Sequence, residues 1–399
     1  MVLNKYREFT GINILFAFSA FLVTPLLAPY LETIGFASWQ ISLMSAAFAF
    51  GIVCLGPFIG EIAASVGRRL VIIVGLWAGV VSIALYLLTD AWFTIALARL
   101  FDAVALSFVS LLLLSKIEDT ISDKNRGRVT GISLSLIYVG HMLGPLAGAA
   151  LAEKFSIAAP FILSAVIMLC ISIFLLFQKT EHLHNPSLPL AKLSWLEEVK
   201  TFLTHKELRG VAIMGVAMHS ALPLQHIFLP LLIVENLGLS FESIGIALFA
   251  HGVPFIFQGF MGTLADKYSF WRMILAGAAI AAGAVFGLSF VDSFAVLVVM
   301  VLILALGDSL WNVSAISLMS DIGERGKTEA RVLTTYSSIA KIGTLISFLL
   351  SAVVVKLWGL QSVFMMHAFF ILVGCFISFR YLRPEKEIGR AIITNAEII

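Results

Sequence analysis

The feature that most narrows the choice of fold is the length of the uninterrupted apolar sequence. Twelve runs, each about as long as the ~20 residues a helix needs to cross the hydrocarbon core of a bilayer, follow one another at 9–32, 38–62, 70–89, 91–116, 128–152, 156–178, 208–234, 241–265, 271–291, 293–320, 331–355 and 359–383. Lipid offers the backbone no hydrogen-bond partners, so such runs must satisfy their own amides and are read as helices. Only 13% of the 399 residues are charged and 60% are hydrophobic, whereas roughly 25% of a soluble domain is charged. The expected fold class is therefore an all-α membrane protein with twelve transmembrane helices. The first run follows Lys5 and Arg7 but is too long for a signal peptide and has no small-residue cleavage site, so it is read as the first membrane helix. Cys54, Cys170 and Cys375 all lie inside apolar runs. They suit packing, and neither a disulfide framework nor a metal site is indicated.

The chain repeats itself. Between the second and third runs, Gly60 to Arg69 reads GEIAASVGRR; roughly two hundred residues later, between the eighth and ninth, Gly262 to Arg272 reads GTLADKYSFWR. At a similar offset Arg126 and Gly127 recur as Arg325 and Gly326, and Asp102 recurs as Asp308. Two pseudo-symmetric six-helix bundles are expected, one over 1–178 and one over 208–383, joined by a linker at 179–207 and followed by a tail at 384–399. In the linker, Ser194 and Glu197 have capping-box spacing. Trp195, Leu196, Val199, Phe202 and Leu203 share one helical face, flanked by Lys200, Lys206 and Arg209. That pattern predicts an amphipathic helix in the headgroup layer that tethers the halves.

Orientation follows from the basic residues, which concentrate in short cytoplasmic loops. Of the 26 Lys and Arg, the loops on one side hold only Lys154 and Lys356, while Arg99 and Lys341 lie inside spans. All the others fall at the N-terminus, in the opposite loops, in the linker or in the tail. Both termini and the linker are thus expected to be cytoplasmic.

The interior charges are the candidate machinery, because a charge within a span is costly and usually lines the bundle interior or a water-filled cavity. Arg99 and Asp102 lie three residues apart on one face of the fourth span. In the tenth span Asp308, Trp311 and Asn312 put a carboxylate, a ring and an amide on one face. Lys341 in the eleventh, with Ser337 and Thr344 beside it, suits either a counter-charge for Asp308 or a partner for a substrate anion. Gly140, Gly144 and Gly148 recur every fourth residue and make a smooth stripe for close helix packing, with Pro145 bending the fifth span. His141 beside that stripe fits a cavity wall or a bond to a carbonyl. His219, Gln225, His226, His251 and Gln258 are scattered, with no tight ligand cluster; Phe16, Phe228 and Phe255 are candidate cavity rings.

Two related sixes, a cytoplasmic linker and the Gly/Arg hinge together resemble the major facilitator superfamily of secondary transporters over nearly the whole chain. The family's hinge, G-x-x-x-D-[RK]-x-G-[RK]-[RK], is matched at Gly60, Gly67, Arg68 and Arg69, with Ala64 in place of the acid and Glu61 one turn back. The second copy keeps Gly262, Asp266 and Lys267 but has Ser269 where the glycine belongs. The resemblance implies a hinge that latches the cytoplasmic side between conformations; on local grounds Arg68 and Arg69 serve topology equally well. Arg99 stands at the arginine of the family's fourth-helix motif R-x-x-x-G, with Ala103 for the glycine, which implies proton transfer or recognition of substrate charge. The run Gly140, Gly144, Pro145, Gly148, or G-x-x-x-G-P-x-x-G, is similar to the motif of the drug:proton antiporter group; packing alone also accounts for it.

The resemblance implies alternating access and proton-coupled export of a small amphipathic or hydrophobic solute by a monomer in the plasma (inner) membrane. In that scheme a proton taken up at Asp102 or Asp308, beside Arg99 and Lys341, selects the cavity state. A proton-coupled importer or facilitator of a polar or anionic metabolite remains open, as does a non-transporting membrane sensor or lipid scramblase. No nucleotide-binding glycine loop or catalytic triad spacing is present and no soluble domain is large enough to hold one, so neither an enzyme nor a cofactor is expected. Net charge is only +2, which gives no reason to expect nucleic acid as a partner.

Overall fold

Proline placement decides where the apolar runs cease to be single helices. Proline lacks the amide that would bond back one turn and its ring crowds that turn, so a helix bends or stops beside it. The computed structural model describes residues 2–119, 126–178, 195–204, 206–326 and 329–381. The first run is α1 (Val2–Val23) and α2 (Leu27–Thr33), parted at Pro25. The second is α3 (Ser38–Leu55) and α4 (Ile59–Val66), parted by a tight turn at Gly56–Phe58 that contains Pro57. Four unbroken helices follow: α5 (Arg68–Leu88), α6 (Trp92–Asp119), α7 (Arg126–Lys154) and α8 (Ala159–Phe177). Pro145 is carried inside α7 without ending it.

Beyond the linker helix α9 (Trp195–Thr204), the seventh run is the most irregular. It begins as α10 (Lys206–His219) and ends in two wide turns, Leu224–Phe228 and Leu232–Asn236, on either side of the short α11 (Leu229–Leu231). Pro223 and Pro230 bracket the first wide turn, and such π-type geometry absorbs the ladder bonds that proline removes. The eighth run splits into α12 (Phe241–Ile256) and α13 (Gln258–Tyr268), three residues after Pro254, whose carbonyl accepts the Phe257 amide at 3.1 Å and the Ser309 hydroxyl at 3.4 Å. The remaining helices are α14 (Phe270–Leu288), α15 (Phe294–Gly326), α16 (Glu329–Trp358) and α17 (Leu360–Tyr381). Among the described residues eleven segments are long and apolar enough to cross a membrane, and Phe241–Ile256 is a shorter apolar helix. That shorter helix is where the 241–265 run is divided.

The helices sort into two compact units: Met1–Lys192 with Leu229–Gly252, and Leu193–Phe228 with Val253–Ile399. Neighbours within each repeat the same pairing. In the first unit α5 packs on α6 and α1 on α7; in the second α14 packs on α15 and α10 on α16. The segment from Leu229 to Gly252 belongs with the first unit, and its Gly245 and Gly252 lie flush on α7. An added Cβ at Gly245 would sit 2.8 Å from the Ala149 Cβ and 3.0 Å from the Pro145 carbonyl.

Outward faces carry large apolar side chains such as Phe93, Phe155, Phe177, Phe260, Phe369, Phe376 and Phe379. In water such a surface would aggregate; in lipid it is the ordinary exterior of a membrane protein. Helix α9 forms where the linker's apolar spacing predicts one, with Phe202 buried and Leu203 exposed. It packs on α10 and α16 of its own unit, and the Arg209 guanidinium donates to the Leu203 and Thr204 carbonyls (2.5 and 3.3 Å), closing its last turn. Ser194 and the stretch before it lie outside the described residues, as does the tail.

Candidate functional site

In the first unit α5 and α6 are joined by one carboxylate. Asp102 accepts three donors: the Ser82 hydroxyl at 2.5 Å, the Tyr86 phenol, and Arg99 Nη1 at 2.9 Å. The i to i+3 spacing on α6 delivers the ion pair, and Ser82 and Tyr86 stand four apart on α5, one helical turn, so that both reach the same acid. Arg99 is nearly sealed, its side chain 7% exposed against 23% for Asp102. The guanidinium also lies over the Phe48 ring of α3, 4.6 Å from its centroid, and its Nε is buried without a hydrogen-bond partner among the described residues. Tyr86 is itself fixed from behind, since its carbonyl accepts the Tyr30 hydroxyl at 2.9 Å. The sequence pairing of Arg99 with Asp102 is thus present in the structure. Ser82 and Tyr86 were not singled out by sequence; their turn-spaced polar pair inside an apolar span was the available signal.

The glycine stripe of α7 lies against α1. A Cβ at Gly140 would meet the Ile14 carbonyl at 2.8 Å, and one at Gly144 the Phe21 Cβ at 2.7 Å and the Phe18 carbonyl at 2.9 Å; Gly148 abuts the Leu22 backbone. Pro145 stands on a different face, its carbonyl toward Gly245. His141 makes ring contacts: it stacks on Phe21 with centroids 4.1 Å apart and meets Tyr138 edge-on at 5.4 Å.

At the first hinge Gly67 has φ +90°, a conformation that side chains resist, and it lets α4 stop and α5 begin within one residue. Ser269 adopts the same φ of 90° between α13 and α14, so the second hinge keeps the geometry without the glycine. Arg69 Nη2 donates to the Leu176 carbonyl at 2.8 Å, which satisfies an acceptor left open at the end of α8. Glu61 and Gly60 are exposed, a Cβ at Gly60 would meet nothing, and no ion pair to Glu61 is found among the described residues. Gly262 has only an ordinary contact with Val313 (3.6 Å), and the Lys267 ammonium lies 5.2 Å from the Tyr268 ring centroid. The Asp266 side chain lies outside the described ones.

The second unit arranges its groups differently. Asp308 on α15 accepts Gln225 Nε2 at 3.0 Å, and no ion pair between Asp308 and Lys341 is found among the described residues. Trp311, one turn along α15, is buried and meets the His219 ring edge-on at 5.5 Å. His219 Nδ1 lies 3.1 Å from the Gly215 carbonyl, the Thr344 hydroxyl donates to the His219 carbonyl at 3.0 Å, and half-buried Lys341 lies one turn before Thr344 on α16. Asn312 is half-buried, with no hydrogen bond to its side chain among the described residues. Further out, His367 is fully buried with Nε2 at 3.3 and 3.1 Å from the Ser347 and Ser351 hydroxyls, a site not read from the sequence. Phe16, Phe228 and Phe255 are all buried. A groove of about 190 Å³ between α10, α16 and α17 is lined by Val216, Ser220, Gly343, Ser347, Phe370 and Gly374 among others, and holds no charged side chain.

A sequence model described as the Major Facilitator Superfamily matches residues 9–228 and 211–395. An uncharacterized MFS-type transporter of Methanocaldococcus jannaschii is 25% identical over 373 residues, 91% of this chain and 94% of the relative. Multidrug resistance protein MdtG of Dickeya zeae is 22% identical over 386 residues, 94% and 93% of the two chains. Quinolone resistance protein NorA of Staphylococcus aureus is 27% identical over 232 residues, 55% of each. A crystal structure of the nucleoside transporter NupG superposes with a TM-score of 0.75 over 94% of this chain and 100% of that one, at 13% identity, a likeness of fold.

Proposed function

The chain belongs to the Major Facilitator Superfamily, and on that premise we propose that it exports a small amphipathic or hydrophobic solute in exchange for protons. It is a multi-pass membrane transporter with the fold of that family, two pseudo-symmetric sets of six membrane segments. In the proposed cycle a site near the bilayer midplane opens to one side of the inner membrane and then to the other, with both termini cytoplasmic.

The observation that carries the proposal is the triply bonded carboxylate of Asp102. A proton arriving there turns an acceptor oxygen into a donor, so the bonds to Ser82, Tyr86 and Arg99 must rearrange, a hydroxyl turning to accept or a partner leaving. It also cancels the charge that holds Arg99, and a buried guanidinium beside a neutral acid favours any state in which it gains another partner or water. Because Ser82 and Tyr86 sit on α5 and Arg99 on α6, the proton acts on the packing of two helices at once. Asp308 with Gln225 is a second, looser acceptor in the other unit. Export is favoured by MdtG and NorA, whose names record multidrug and quinolone resistance.

The test uses proteoliposomes with an imposed pH gradient and a fluorescent quinolone. Gradient-driven accumulation is expected in wild-type vesicles and its loss in Asp102→Asn, with the Asp102→Asn/Asp308→Asn pair inactive. Undiminished uptake in the double variant refutes proton coupling through these acids. Import of a polar or anionic metabolite is the second reading, favoured by a Lys341 that has no carboxylate within ion-pair distance among the described residues. Comparing flux in inverted and right-side-out vesicles decides between the two.

A further inference from the structure

Lys341 brings a basic side chain into the membrane-spanning part of the second unit with no opposite charge in ion-pair distance among the described residues. Thr344, one turn along α16 from it, donates to the His219 carbonyl at 3.0 Å, which brings this face of α16 to the end of α10, and on α15 the Asp308 carboxylate accepts Gln225. Among the described residues no carboxylate lies within 4.0 Å of the ammonium. An ionised side chain inside a span is expensive and marks a path or site for an ion or solute.

Two further donors nearby lack acceptors. Trp311 is 7% exposed and Tyr336 5%, and both the indole N–H and the phenol hydroxyl are buried with no hydrogen-bond partner among the described residues. Buried donors are overwhelmingly paired in folded proteins, so an orphan calls for an explanation. His219 ties the three together. Its ring meets that of Trp311, its carbonyl accepts the hydroxyl of Thr344 one turn from Lys341, and its Nδ1 bonds to the Gly215 carbonyl. Tyr336 packs on the same Gly215: an added Cβ there would lie 3.1 Å from the phenol oxygen. One cation and two unanswered donors around a single histidine call for an acceptor bearing negative charge.

We propose that Lys341, Trp311 and Tyr336, grouped around His219, form an anion-binding site that takes the carboxylate or phosphate of the transported solute. The Trp311 ring then supplies an apolar surface for the rest of the molecule. This deepens the transport reading and rests on it: the exported solute is an amphipathic anion, not a cation. The headgroup of an acidic lipid carries the same chemistry, and the two sources are separated below.

The experiment is thermal unfolding of the purified full chain with 1-naphthoate, 1-naphthyl phosphate and the neutral isostere 1-naphthamide, since a ligand of the folded state raises its apparent stability. Either anion is expected to raise the transition temperature and the amide to leave it unchanged. Lys341→Met should weaken anion binding by about tenfold or more, the value of one hydrogen bond to a charged group. Lys341→Arg should retain binding, and Trp311→Phe, which keeps a ring and loses the N–H, should weaken it by a smaller factor. Equal shifts from naphthoate and naphthamide, no shift from either anion, or full binding by Lys341→Met overturns the site. Should Lys341→Met not fold, unchanged anion affinity in Trp311→Phe does the same. Repeating the titration in nanodiscs of phosphatidylcholine with and without phosphatidylglycerol identifies the source: competition by the acidic lipid overturns the assignment to a solute. No gradient enters these measurements. Anion binding without driven flux therefore removes the export reading and leaves the site, whereas driven flux without anion selectivity removes the site alone.

Discussion

The two units place their acids in opposite situations. Asp102 is held by three donors that include a nearly sealed arginine, whereas Asp308 is held by an amide, and the lysine of its unit stands apart from it. The helix seams differ in the same sense. α7 meets α1 through bare glycines, while α16 meets α10 through Gly343 and then through hydroxyls: Thr344 on the His219 carbonyl and Ser347 on the Ser220 carbonyl at 2.6 Å. A duplicated scaffold has thus kept its packing directions while its chemistry has diverged. One copy gathers its donors, arginine included, on a single carboxylate, and the other sets its lysine apart from its acid.

That contrast can be broken by substitution. Asp102→Asn strands Arg99 and should lower stability by about 3 kcal/mol, the lower end of what removing one partner of a buried pair costs. Replacing both, as Arg99→Met with Asp102→Leu, should recover part of it. Asp308→Asn still offers Gln225 an acceptor, so its loss should be under about 1 kcal/mol. Thermal unfolding of the purified variants reads both, and equal losses would erase the distinction between the acids. Next in size, Gly144→Val forces α7 off α1 and should cost about 1–3 kcal/mol, as overpacking does. The corresponding change in the second seam, Ser347→Ala, removes a hydrogen bond to the Ser220 carbonyl and should cost about 1 kcal/mol. A Gly144→Val variant as stable as Ser347→Ala would mean that the glycine seam yields. Smallest of all, Ser269→Gly relieves an unfavourable backbone and should gain about 1 kcal/mol, with Gly67→Ala losing a similar amount. No gain from Ser269→Gly would show that the serine's own contacts offset the strain.

Much of this architecture was legible in the sequence because it is local. Apolar length gives the spans, i to i+3 spacing pairs Arg99 with Asp102, and an apolar face gives α9. The glycine stripe announces close packing, though not that α1 is the helix it packs on. What escaped depends on how one helix is rotated against another. Nothing along the chain joins Ser82 and Tyr86 to Asp102, or selects Gln225 over Lys341 as the partner of Asp308. His367 carries no signal in the sequence, and only the packing of α17 on α16 sets Ser347 and Ser351 against it. The irregular seventh run was half visible: Pro223 and Pro230 announce a disturbance, but periodicity cannot say that the backbone answers with wide turns.

The arginines at the two ends of the linker act as cleats. Arg69 grips the carbonyl of Leu176 where the chain leaves α8, and Arg209 grips those of Leu203 and Thr204 where it enters α10. A pull on the end of α8 is then borne by α5, and one on the end of α9 by α10, so the last turns of both helices stay wound.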